Sequence, residues 1–288
     1  MDTSYRAPGW LDASEYPFTH RFLDLPDGRV HYVDEGQGEP IVMVHGIPTW
    51  SFLYRGLVRR LSGDFRCVAP DNLGFGLSDR PEHDIRVADH SANLGRFIDS
   101  LGLRDITLLV HDFGGPIGLG YAVAQPEQVR RLIVLNTWMW PVRELRHRML
   151  QAMIASRMGR LLYERLNFSV RVLMAAGRSK LSQRTKEHYS EPMATPRDRH
   201  ATWVLGTELT GGNRFYGGVW NRRSLLRDKP ALLFWGLRDT AFGRGDLERL
   251  RSVFTQPEVV EYADAGHFVP EEKAAEMAAR IMTFMRHG

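Results

Sequence analysis

Leu108–Gly118, LLVHDFGGPIG, is the stretch on which the reading of this 288-residue chain turns. The apolar run Ile106 to His111 meets a polar residue and two glycines, then passes at once into a helix-compatible stretch reaching Gln125. A buried strand that turns this abruptly into a helix leaves its turn residue, Asp112, at the carboxyl edge of a sheet. Small neighbours at Gly114 and Gly115 let the helix pack close to the strand. Asp112 then has two readings, a nucleophile presented on a sharp turn or an ordinary helix cap. The stretch by itself leaves both open.

Working outward, Val30 to Asp34, Ile41 to Val44, Arg66 to Ala69 and Arg131 to Asn136 read as further short strands between helical stretches. Strands joined by helical crossovers predict a mostly parallel sheet with helices on both faces. The pattern changes at Trp138, where a region rich in Arg, Met and Trp reads as helix to about Arg227. It resumes at Pro230 to Trp235 and Val259 to Tyr262 and closes with a helix over about Pro270 to His287. The expected organisation is a sheet core, residues 1–137 and 228–288, interrupted by a helical cap, residues 138–227. Within the cap, Leu145, Met149, Ala152 and Met153 recur at helical spacing among arginines and are expected to face the core. Met149, Met153, Met158 and Met174 are alternatively the lining of an adaptable apolar pocket.

Bulk properties narrow the function classes. The net charge of +4 comes from scattered rather than striped Arg and Lys, which argues against a nucleic-acid interface. The single cysteine, Cys67, excludes an internal disulfide and a Cys-based zinc cage and favours a reducing, cytoplasmic setting. Met1 to Thr19 is polar, broken by Pro8 and Pro17, and lacks the features of a signal peptide. No run approaches the roughly 18 apolar residues of a membrane helix, so a soluble protein is expected, without a membrane or nucleic-acid partner.

Two more segments bear on Asp112. Leu232 to Asp239, LLFWGLRD, is a strand with an Asp just beyond Gly236, and Ala263 to His267, ADAGH, is a loop after the last strand ending in His. Nucleophile, acid and base in that order, Asp112, Asp239 and His267, is the arrangement of the α/β-hydrolase fold, for which an eight-stranded sheet is expected. His45, His90, His111 and His188 lack such placement and are read as structural or solvent-exposed. The run His45 to Arg55, HGIPTWSFLYR, follows a strand directly, so the backbone N–H of Ile47, with that of Phe113, is expected to form an oxyanion hole.

HGIPTWSFLYR, PDNLGFGLSDRP (70–81), HDFGGPIGL, LNTW (135–138) and ADAGH together resemble the haloalkane dehalogenases across nearly the whole chain. The resemblance implies hydrolysis without metal or organic cofactor, through an alkyl ester on Asp112 that His267, oriented by Asp239, opens with water. Some members carry the acid after the sixth strand; Asn136 occupies that region here, which leaves Asp239. Members usually hold the leaving halide with a Trp after the nucleophile and an Asn in the His-Gly loop or another Trp. Phe113 and Ile47 stand at those positions, so Asn136, Trp138 and Trp140 become the candidate pocket residues. An epoxide hydrolase, with cap tyrosines Tyr163, Tyr189 or Tyr216 as acids, is the alternative enzyme, and a non-catalytic binder of a small apolar ligand is a third reading.

Overall fold

The computed structural model describes residues 6–171 and 181–287. Met174 and the first five residues lie outside them. Eight strands, β1 (Arg21–Leu25), β2 (Gly28–Glu35), β3 (Pro40–Val44), β4 (Arg66–Pro70), β5 (Ile106–Asp112), β6 (Val129–Thr137), β7 (Ala231–Gly236) and β8 (Glu258–Tyr262), form one sheet in the order β1-β2-β4-β3-β5-β6-β7-β8. The first two pairings are antiparallel and the rest parallel. Strand β1 has no counterpart in the strands expected from sequence. Its signal was the Pro26-Asp27-Gly28 turn, which closes a hairpin pairing Leu25 with Gly28.

The central strands are buried on both faces, which is why β5 and β7 read as continuous apolar runs. Side-chain alternation sends Val42, Val44, Leu108, Val110, Val134 and Leu233 into one core. Their neighbours Ile41, Met43, Leu109, Ile133, Leu135 and Leu232 enter the other. Helices α2 (Val87–Ser100) and α3 (Gly114–Ala124) cover the first face, whereas α1 (Arg55–Leu61) and the C-terminal helix Ala274–His287 cover the second. The closing helix is in two pieces rather than one: Lys273, at φ −132°, breaks it after Val269–Glu272, and its Nζ reaches Asp264 Oδ2 at 2.8 Å.

Between β6 and β7 the described residues are helical without a strand, with helices Leu145–Ala155, Arg157–Leu166, Gln183–Ser190, His200–Gly211 and Asn213–Asn221. One expectation fails there. Leu145 and Met149 are 69% and 65% exposed, and it is Ile154, on the opposite side of the helix, that is buried. A stripe at the right spacing fixes a face without saying whether that face meets protein.

The carboxyl ends of β3, β5, β6, β7 and β8 converge where the insertion leaves the sheet, the usual place for a site in an open α/β sheet. The elbow there tolerates no added methyl group: a Cβ on Gly115 would stand 1.7 Å from Thr137 Oγ1, and one on Gly114 2.0 Å from the Val44 carbonyl oxygen. Gly115→Ala is expected to lower stability by about 3 kcal/mol, because helix and strand must separate. Thermal unfolding followed by circular dichroism checks this, and an unchanged midpoint contradicts the close packing.

Candidate active site

Asp112 ends β5 with φ +52°, a left-handed conformation costly for any residue but glycine. The β5–β6 register shifts here so that Asp112 pairs with Thr137, whose hydroxyl donates to the Asp112 carbonyl. This turn swings the side chain off the helix. No side chain caps α3, so the helix-cap reading of Asp112 has no support. Its Oδ1 instead accepts from the backbone N–H of Ile47 at 2.8 Å, and the neighbouring N–H of Phe113 also favours the charged carboxylate. Oδ2 is left facing His267 Nε2 at 3.7 Å, too far for a direct hydrogen bond.

The His-Gly loop is held by its own histidine. His45 donates from Nδ1 to the Gly46 carbonyl at 2.8 Å and accepts at Nε2 from the Asn72 N–H at 2.8 Å, tying the HGIPTW run to the PDNLGFG run. A Cβ at Gly46 would lie 2.2 Å from Asp112 Oδ1, so only glycine lets the loop approach the carboxylate.

His267 donates from Nδ1 to Asp239 Oδ2 at 2.8 Å, which turns Nε2 toward Asp112. Asp239 is itself fixed, accepting from the Ala241 N–H at 2.7 Å and from Asn136 Nδ2 at 2.8 Å. The loop carrying His267 is clamped as well. Gly266 N–H donates to Glu272 Oε1 at 3.0 Å, and Glu271 accepts from both Arg55 and Tyr189. Arg55, the last residue of HGIPTWSFLYR, thereby supports the histidine loop from the far end of the motif.

Burial pushes the Asp112 carboxyl up to about 6, against the pull of His267 and the Phe113 and Ile47 N–H groups. Burial disfavours the His267 cation, yet the Asp239 charge and hydrogen bond, with the Asp112 charge, outweigh it and raise the imidazole above its usual range. For Asp239 burial is likewise outweighed, here chiefly by His267, and its carboxyl is lowered.

The three candidate pocket residues separate. Asn136 is spent on structure: Nδ2 donates to Asp239, and Oδ1 accepts from the Gly236 N–H at 2.9 Å. Trp140 packs edge-on against Trp220 with the Arg249 guanidinium 4.5 Å over its ring, an arrangement of packing and cation–π contact. Trp138 alone stands against the site. It meets Phe113 edge-on at 4.8 Å and stacks at 5.4 Å on Phe242, which in turn stacks on His267 at 5.7 Å. Its buried indole Nε1 has no partner among the described residues. Of the tyrosines, Tyr189 donates to Glu271 and Tyr216 to the Glu208 carbonyl, so neither hydroxyl is free to act as an acid.

Two neighbours complete the surroundings, His111 in the structural part read for it and Phe242, which escaped the sequence reading. His111, taken as structural or exposed, is buried and donates from Nε2 to the His267 carbonyl at 2.8 Å, and burial pushes its pKa down to about 3. Its adjacency to Asp112 was the available signal. Phe242, in the loop after Asp239, carried none.

The family model for the alpha/beta hydrolase fold matches residues 39–274. "Haloalkane dehalogenase 2" of Mycobacterium tuberculosis is 36% identical over 94% of this chain and 96% of its own length. A "cis-3-alkyl-4-alkyloxetan-2-one decarboxylase" of Shewanella oneidensis is also 36% identical, over 93% of this chain and 89% of its own. Among solved structures, haloalkane dehalogenase DbeA from Bradyrhizobium elkani superposes with a TM-score of 0.86 at 21% identity, covering 94% of this chain and all of that one. The chain therefore belongs to the α/β-hydrolase fold family. Within that family it is a haloalkane dehalogenase-like hydrolase. Absent from the motif reading was the oxetanone chemistry of the Shewanella relative.

Because both carboxylates favour the imidazolium, Asp112→Asn and Asp239→Asn should each lower the pKa of His267. Titration of its ring by ¹H–¹⁵N NMR checks this, and an unmoved value in either variant contradicts the electrostatic account.

Proposed function

We propose that this hydrolase cleaves carbon–halogen bonds of small apolar haloalkanes, with Asp112 as nucleophile, His267 as base and Asp239 as partner of the base. The observation that supports this most is the division of labour on one carboxylate. Asp112 Oδ1 rests on the Ile47 N–H at 2.8 Å while Oδ2 faces His267. Oδ2 attacks the carbon bearing the halogen, the carbon–halogen pair departs as halide, and an alkyl ester forms on Asp112. Oδ1 is then the ester carbonyl oxygen, already on the Ile47 N–H, which together with the Phe113 N–H stabilises it when water adds to Cγ. His267 Nε2 takes the proton of that water and returns one to the departing alcohol. Ester formation also removes a charge that had favoured the imidazolium, so His267 becomes a readier base when one is needed.

Neither Phe113 nor Ile47 offers a side-chain donor to the leaving halide. We assign that part to Trp138, whose unpartnered indole N–H lies in the wall formed with Phe113 and Phe242. A hydrogen bond to a charged group contributes about 1.5–3 kcal/mol, so Trp138→Phe should slow halide release roughly 10- to 150-fold. The missing donors also favour a second reading, ring opening of an oxetan-2-one, the substrate class in the names of the Shewanella and Xanthomonas relatives. There Oδ2 would attack the ring carbon bonded to oxygen, and the leaving carboxylate would stay on the same molecule and need no halide site. Loss of carbon dioxide would then form the alkene as the Asp112–carbon bond broke. The cytoplasm is the proposed compartment, on the strength of the single cysteine.

Bromide release from terminal bromoalkanes, run beside carbon dioxide release from a dialkyl oxetanone, distinguishes the two, with Asp112→Asn as control. Bromide release lost by at least about 10⁴-fold in the variant is expected. Carbon dioxide without bromide would move the protein to the second reading. The kcat/KM profile should show an acid limb near pH 6, since below it Asp112 is protonated and cannot attack. A flat profile from pH 5 to 8 would contradict that assignment.

A further inference from the structure

The outward face of the insertion takes no part in the site just described. On the helix Leu145–Ala155, where successive residues turn by about 100°, Leu145, Met149 and Ala152 project on the side away from buried Ile154, with exposed Met153 at the edge of the row. Arg146 and Arg148 flank that row on either side. The next helix, Arg157–Leu166, also exposes apolar side chains, Met158 at 61% and Leu161 at 47%. Residues 143–171 contain seven arginines and two glutamates, a net charge of +5 that exceeds that of the entire chain. Arg148, Arg157 and Arg165 are exposed and form no ion pair among the described residues. An apolar row bordered by unpaired arginines suits a surface with an apolar interior and anionic groups at its boundary.

We propose that this face of the insertion docks on an anionic lipid surface, its Leu and Met side chains entering the acyl region and its arginines meeting the headgroup phosphates. Charge selects this occupant. A second copy of the chain would set arginine against arginine, and nucleic acid would match the arginines but leave the Leu–Met row in water. Docking of this kind differs from spanning, and no described helix is long and apolar enough to cross a membrane. It would hold the enzyme at the phase into which apolar substrates partition, whichever bond Asp112 attacks.

Co-sedimentation of the full chain with vesicles of mixed phosphatidylglycerol and phosphatidylcholine, against phosphatidylcholine alone, tests this. Binding is expected to the anionic vesicles and to fall steeply with added salt. Each arginine near such a surface contributes enough that Arg148→Gln/Arg157→Gln/Arg165→Gln should weaken partitioning about a hundredfold. Leu145→Gln/Leu161→Gln should weaken it at least about tenfold through lost apolar burial. Both variants alter exposed side chains that take no part in the site described above and should keep full turnover of a water-soluble substrate, which separates this proposal from the catalytic one. The proposal is overturned if the parent stays in the supernatant with anionic vesicles, or if both variants bind as the parent does. It is equally overturned if gel filtration shows a dimer that these substitutions dissociate, or if an acidic amphipathic peptide is captured while vesicles are not.

Discussion

The left-handed backbone at Asp112 determines what each oxygen of its carboxylate does. At φ +52° the side chain leaves the axis of α3 and turns back toward the His-Gly loop, where a backbone N–H takes one oxygen and leaves the other toward His267. Holding a non-glycine residue there costs on the order of 1–3 kcal/mol, and the surroundings are arranged to sustain it. Thr137 donates to the Asp112 carbonyl, Gly114 and Gly115 let strand and helix close, and Gly46 admits the loop to contact. Release of any one of these would let the turn relax and the two oxygens lose their separate tasks.

Electrostatics then divides the work between the two buried carboxylates near His267. Asp239 has three hydrogen-bond donors and stays ionised. Burial outweighs the groups that favour the Asp112 carboxylate and raises its carboxyl, which suits the nucleophilic part proposed for it, charged at neutral pH yet weakly solvated. The imidazole between them is fixed at Nδ1 by Asp239 and along its backbone by neutral His111, leaving Nε2 toward Asp112.

Much of this was legible in the sequence because it is carried by local pattern. The apolar run into His111-Asp112-Phe113-Gly114-Gly115 specifies a strand, a turn and a helix at once, and the order Asp112, Asp239, His267 follows from strands that end at one edge of a sheet. Less legible were the features fixed by tertiary contact. Asn136 and Trp138 stand two apart on the same strand end, yet one is absorbed into the Asp239 network and the other faces Phe113. Trp140 looked equivalent to Trp138, and only the approach of Arg249 and Trp220 takes it elsewhere. The exposed row on Leu145–Ala155 shows the same limit, since periodicity names a face and not its neighbour.

The central claim is that Asp112 carries the substrate as an ester which water opens at the acyl carbon. One turnover of excess enzyme in ¹⁸O-water, followed by mass analysis of the peptide containing Asp112 and of the alcohol, tests it directly. The account predicts one solvent oxygen in the Asp112 carboxylate and an unlabelled first-turnover alcohol, whose oxygen came from Oδ2. Label in the alcohol with none on Asp112 would mean that water displaces the halide itself, and would contradict the account.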